Sequence, residues 1–180
     1  MTTFEIIVIV FAFLFLIGYL LNKNKQKNAF EERSIKLLKY DFSKMCEFKD
    51  KTIGVDEKKS LFVYSFWNNE PIEVPFKAIL DCEVLKDNIS IGKISTKGAI
   101  VGGILAGGVG AMIGSQAGKK KYEEINSLDL KIYVDNIQNP TIKINFFRSF
   151  DGKFNLDRSL KLIEDWEGVF KVILNRNKSN

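Results

Sequence analysis

A chain of 180 residues has room for one domain and an appendage, and its 27 basic and 22 acidic residues leave a net charge of only +5. Much of the excess is local, and elsewhere the charges alternate, as in Lys49-Asp50-Lys51 and Asp56-Glu57-Lys58-Lys59, which reads as a solvated face and not as a nucleic-acid footprint. The absence of histidine removes the commonest general base and metal ligand, and Cys46 and Cys82 lie too far apart for a CxxC site, so neither enzyme chemistry nor a metal or other cofactor is expected.

Residues 4–21 read FEIIVIVFAFLFLIGYLL, with Glu5 the only charge. With the preceding threonines the run reaches about 20 residues, the length that spans a hydrocarbon core of about 30 Å. It is apolar on every side, and Tyr19 falls where an interfacial aromatic is favoured. No basic residue precedes it and no small-x-small cleavage site follows, so an uncleaved anchor is expected, not a signal peptide. Lys23, Lys25 and Lys27 come directly after it, which puts the N-terminus outside the cell and the rest of the chain in the cytosol.

Residues 28–44 predict a juxtamembrane helix, with Phe30, Ile35, Leu37 and Leu38 giving it an apolar side. Alternating β-branched and aromatic segments follow at 52–56, 61–67, 72–76, 80–86 and 89–91, broken by turns that include Asp87-Asn88. Two more, 127–135 and 141–147, form a final hairpin, with Pro140 at a strand start. The last segment is amphipathic: Leu156, Leu160, Ile163, Trp166, Phe170 and Ile173 recur at steps of three and four, with Asn155 as the expected N-cap. Trp166 reads as a core anchor.

The expected fold is mainly β with α. After the N-terminal transmembrane helix comes a pleckstrin-homology-like, partly open barrel of about seven strands, closed by a C-terminal amphipathic helix. Its organisation would be an anchor at 1–22, a juxtamembrane helix and linker at 23–47, a split β domain at 48–97 and 122–176, and an insertion at 98–121.

That insertion carries the strongest pattern. Residues 98–118 read GAIVGGILAGGVGAMIGSQAG, without charge, between Lys97 and Lys119-Lys120-Lys121. At spacing four, Gly98, Gly102, Ala106, Gly110, Gly114 and Gly118 are all small, and Gly103 and Gly107 belong to a neighbouring small ladder. On a helix these make flat ridges that let backbones approach closely, as helices in lipid do. A phosphate loop is not met, because Ile113 stands where its first glycine would be. The expected form is a helical hairpin bent near Gly107-Gly108. A single crossing would put the strands before and after it on opposite sides of a membrane and leave open sheet edges.

The segment 76–84, the glycine block GGILAGGVGAMIG at 102–114, the strand beginning SLDLKI at 127 and Trp166 together resemble a group of membrane-anchored small β-domain proteins of low-GC Gram-positive bacteria and their phages. The resemblance covers about residues 50–175. It implies membrane association and a phage or prophage setting, and no established activity.

The function expected is that of a non-enzymatic, membrane-tethered interaction module. Its partners would be membrane lipid, further copies of itself and an unidentified protein, with no nucleic acid. The alternative is a glycine-zipper pore of the holin or toxin kind. Asp81, Cys82 and Glu83 do not make a catalytic group, because adjacent strand residues point to opposite faces.

Overall fold

The computed structural model describes residues 3–95, 125–151 and 153–179. They fall into two compact units, Met1–Glu73 and Val74–Asn180.

The first unit opens with one unbroken helix, α1 (Thr3–Leu37). Nothing between the apolar run and the charged run breaks helix, and Lys27–Glu31 (3.7 Å) and Lys36–Glu32 (3.5 Å) pair at i,i+4 across its second half. The separate juxtamembrane helix expected at 28–44 is therefore the second half of α1, and it stops at Leu37, short of Lys44. The helix tightens at its end, where the amides of Leu38 and Tyr40 donate to the carbonyls of Ile35 and Leu37. Beyond it, Asp56 accepts the Asp41 amide at 3.0 Å and Val55 accepts that of Ser43 at 2.8 Å, which draws the chain into a sheet.

Strands β1 (Lys44–Glu47), β2 (Lys51–Asp56), β3 (Leu61–Phe66) and β4 (Ile72–Pro75) lie in that order in one sheet, with β4 at the junction of the units. Antiparallel register sets Cys46 against Ile53 and Gly54 against Val63. Leu37, Tyr40 and Val63 form a buried cluster, with Phe42 and Leu61 packed on it. The ring of Phe42 packs against Gly54 where a Cβ would stand, so this strand position has no room for a side chain.

The second unit holds β5 (Ile79–Lys86), β6 (Ile89–Ser95), β7 (Ser127–Val134) and β8 (Thr141–Arg148), in the order β6-β5-β7-β8. Asp87 and Asn88, with φ of 50° and 66°, make the two-residue hairpin turn that joins β5 to β6. Eight described strands in two four-stranded sheets replace the expected seven, and Phe76 belongs to a short 3-10 turn after β4. Helix α2 (Lys153–Ser179) lies along this second sheet. Its start at Lys153 leaves Asn155 inside the first turn and not at the N-cap. The expected stripe from Leu156 to Ile173 is buried, with Trp166 1% exposed and its ring centroid 6.5 Å from that of Phe170. Leu128, Leu130, Ile132, Ile142, Ile144 and Phe146 supply the apolar face of the sheet. Near the C-terminus of α2, Asn177 donates to the carbonyls of Phe76 (2.7 Å) and Ile79 (3.2 Å).

Candidate membrane-facing site

Every residue of α1 from 10 to 21 is exposed, including Phe11 (70%), Phe15 (78%) and Leu21 (65%). A continuous apolar surface of this kind is foreign to a solvated monomer. Among the described residues no helix is long and apolar enough to cross a membrane. The expected anchor also takes in residues 1–2 and the side chains at 3–4 and 6–9, which lie outside the described set. Lys23, Lys25 and Lys27 follow as expected, all exposed, in the turns immediately after the apolar stretch.

Farther along the same helix, a ladder of side chains fastens α1 to the turns of the first sheet. Arg33 is fully buried, and its Nη2 donates to the carbonyls of Phe48 (3.1 Å) and Lys49 (3.4 Å) in the β1–β2 turn. Burial lowers its pKa against the opposing charges of Glu47 and Asp50. One turn on, Lys36 donates to the Asn68 carbonyl at 2.6 Å and pairs with Glu70 at 2.9 Å, while Asn68 donates to Glu32 at 3.1 Å. Lys39 pairs with Glu73 at 3.0 Å, and the Tyr40 hydroxyl donates to the same carboxylate. Those two contacts hold Glu73 below the usual carboxylate range. The apolar stretch is thus continuous with the folded unit, with no linker between them.

The glycine ladder Gly98, Gly102, Gly103, Ala106, Gly107, Gly110, Gly114 and Gly118, with Lys119, Lys120 and Lys121, lies outside the described residues. The points where that segment leaves and rejoins the sheet are described. β5 is hydrogen-bonded to β6 on one side and β7 on the other, antiparallel to both. Ser95 stands opposite Asp81 at one end of β5, whereas Leu128 stands opposite Lys86 at the other. The connection is therefore a crossover between parallel strands, its ends about 17 Å apart along the strand direction at ~3.3 Å per residue. Asp87 fastens the returning end by accepting the amides of Asn126 and Ser127, both at 2.8 Å.

The three residues at 81–83 divide as expected. Cys82 is fully buried, and burial pushes its thiol well up, with the Glu167 charge on α2 adding to the effect. Glu83 lies on the opposite face, where it accepts from the Tyr133 hydroxyl and pairs with Lys131 at 3.5 Å. On that face Asp129 is fully buried, with Arg148 at 2.9 Å, Lys143 at 3.2 Å and the Asn145 amide at 2.9 Å.

Two features escaped sequence reasoning. The burial of Arg33 depends on carbonyls 15 and 16 residues away. Trp67, which reads as the end of a strand, sits just beyond β3 with φ 51°, its amide held by the Asp50 carbonyl at 2.7 Å.

Residues 39–148 match the model of the family described as glycine zipper containing PH domain. The chain belongs to this family. Two curated relatives come from a phage or a prophage. A protein of Bacillus phage SPbeta named an immunity protein is 32% identical over 140 residues, which cover 69% of this chain and 70% of the relative. An SPbeta prophage-derived uncharacterized membrane protein, YomJ, of Bacillus subtilis strain 168 is also 32% identical over 140 residues, 69% of this chain and 62% of that protein, so the chain spans less than two thirds of its length. No solved structure matches the chain at a significant level. The resemblance to phage-associated membrane proteins of Gram-positive bacteria thus stands at the level of family.

Proposed function

We propose that the protein is a non-enzymatic, membrane-tethered module that assembles at the bilayer through its glycine zipper. The observation that carries this reading is α1, whose exposed apolar stretch runs without a joint into the folded unit. The anchor begins outside the cell, and the lysine collar at 23–27 marks the cytosolic side. The chain on both sides of residues 96–124 hydrogen-bonds to β5, which supports a zipper segment that does not cross the membrane once. Gly98 to Gly118 then supply flat ridges for self-association or bilayer contact. The names of the relatives support both a membrane location and a phage setting. We extend to this chain the immunity for which one of them is named, exercised by assembly at the host membrane.

Replacing Gly110 and Gly114 by Leu in the full chain should abolish crosslinked oligomers in membranes without releasing the protein from them. Unchanged crosslinking would overturn assembly through the zipper. Reporter fusions at the two termini test orientation: a periplasmic or external reporter should be active only at the N-terminus, and activity at the C-terminus would overturn it.

A further inference from the structure

Where α1 leaves its apolar stretch, the helix and the turn after β3 enclose an open cleft of about 800 Å³. Leu21, the last residue of the exposed apolar run, is among its lining residues. Asn22, Lys25, Asn28 and Glu32 recur at steps of three and four and so line the wall from one helix face, with buried Ala29 among them. The facing wall is Trp67-Asn68-Asn69.

The chemistry of this lining is unusual. Carboxamides come from both walls, and each offers a donor and an acceptor. The lining holds one ammonium, Lys25, and one carboxylate, Glu32, and so carries no net formal charge. Trp67 adds a flat apolar face, held beside the cleft in a backbone conformation that bulky residues seldom adopt. Asn68, the next residue, is of a type that takes that conformation more readily. Hydroxyl groups both donate and accept, and the C–H face of a sugar ring packs on an indole, so a hydroxyl-rich, uncharged ligand complements these walls better than a polyanion does.

Resting on the reading of α1 as an anchor, Leu21 and the lysines around it lie at headgroup depth in the leaflet from which the helix emerges. We propose that the cleft holds the sugar headgroup of a membrane glycolipid. Its occupant is a lipid because the helical wall rises directly from the apolar stretch, so a headgroup reaches the cleft without leaving the bilayer.

The test uses the full chain in phosphatidylcholine nanodiscs, alone or with added diglucosyl diacylglycerol or phosphatidylglycerol. Trp67 and Trp166 are the only tryptophans, so their two indole N–H resonances report separately, with buried Trp166 as the internal control. The glycolipid should shift the Trp67 signal saturably and leave Trp166 in place, while phosphatidylglycerol should not. Asn28→Ala and Asn69→Ala, both at exposed positions, should each weaken the response about three- to tenfold, the worth of one hydrogen bond. Equal shifts with phosphatidylglycerol, or no shift, would overturn the proposal. Flotation of the full chain with vesicles of the same lipid compositions separates the two readings. A chain that does not float removes the anchor and the cleft together, and one that floats without a glycolipid-dependent shift removes the cleft alone.

Discussion

Arg33 offers a direct measure of how α1 is fastened to the first sheet. Its guanidinium is fully buried, makes one good bond to Phe48 O and one long bond to Lys49 O, and leaves Nε and Nη1 without hydrogen-bond partners. Burying the cation costs several kcal/mol, on the order of 3–5 after relaxation. Two bonds from a charged donor return about 1.5–3 kcal/mol each, the 3.4 Å one less, and each orphan donor costs about 1–3 kcal/mol. The two bonds therefore do not outweigh the cost of burying the group with two donors unsatisfied. Arg33→Met keeps the stem and removes the charge, so it should change stability by less than about 1 kcal/mol or raise it slightly. Arg33→Ala also empties the space and should lose about 2–4 kcal/mol. The assay is amide hydrogen exchange in the β1–β2 turn, where the Phe48 amide donates to Lys51 O at 2.7 Å and reports local opening. A loss for Arg33→Met as large as that for Arg33→Ala would refute the reasoning, because the guanidinium would then be a net stabiliser.

Other consequences concern both units. Gly54→Ala pushes a methyl group into the Phe42 ring and should cost about 1–3 kcal/mol by thermal denaturation, with most of the loss recovered in the Gly54→Ala/Phe42→Ala pair. Trp166→Ala removes the largest fully buried side chain of α2 and should cost about 3–5 kcal/mol, read as loss of protease resistance in residues 127–179. Acid should destabilise the fold through Asp56, Glu73 and Glu83, each held below its ordinary value in the folded chain. Burial raises Asp56 and Glu83, but the amides of Lys59 and Asp41 outweigh it at the first, and Tyr133, Ser90 and Lys131 at the second. Their stabilisation is complete above the unfolded values near ~4 and is lost as pH falls through the lower folded ones. A melting temperature that stays flat from neutral pH down to about 3 would contradict it.

Helix α2 was legible because apolar residues repeat on one face for about five turns, and burial of that face needs only a sheet to lie on. The Asp87-Asn88 turn was legible because both residues tolerate positive φ. β1 was not. Its four residues, Lys-Met-Cys-Glu, contain no β-branched side chain, and only pairing with β2 makes them a strand. The end of α1 was hidden for a similar reason, since Asp56 and Val55, more than ten residues downstream, compete for the backbone after Tyr40. The glycine ladder was the plainest pattern in the sequence, yet the placement of its flanking strands on either side of β5 came only from their pairing.

That pairing has a mechanical meaning. Ladder hydrogen bonds lie across the strands, so a pull along the strand axis loads them together, whereas a pull across it opens them one at a time. Ser95 and Ser127 sit on either side of β5 and at opposite ends of it. Tension that draws the two ends of the connecting segment apart along β5 is therefore borne in shear by both ladders at once. An assembly gripping the chain by that segment would be pulling on the sheet along its strongest direction.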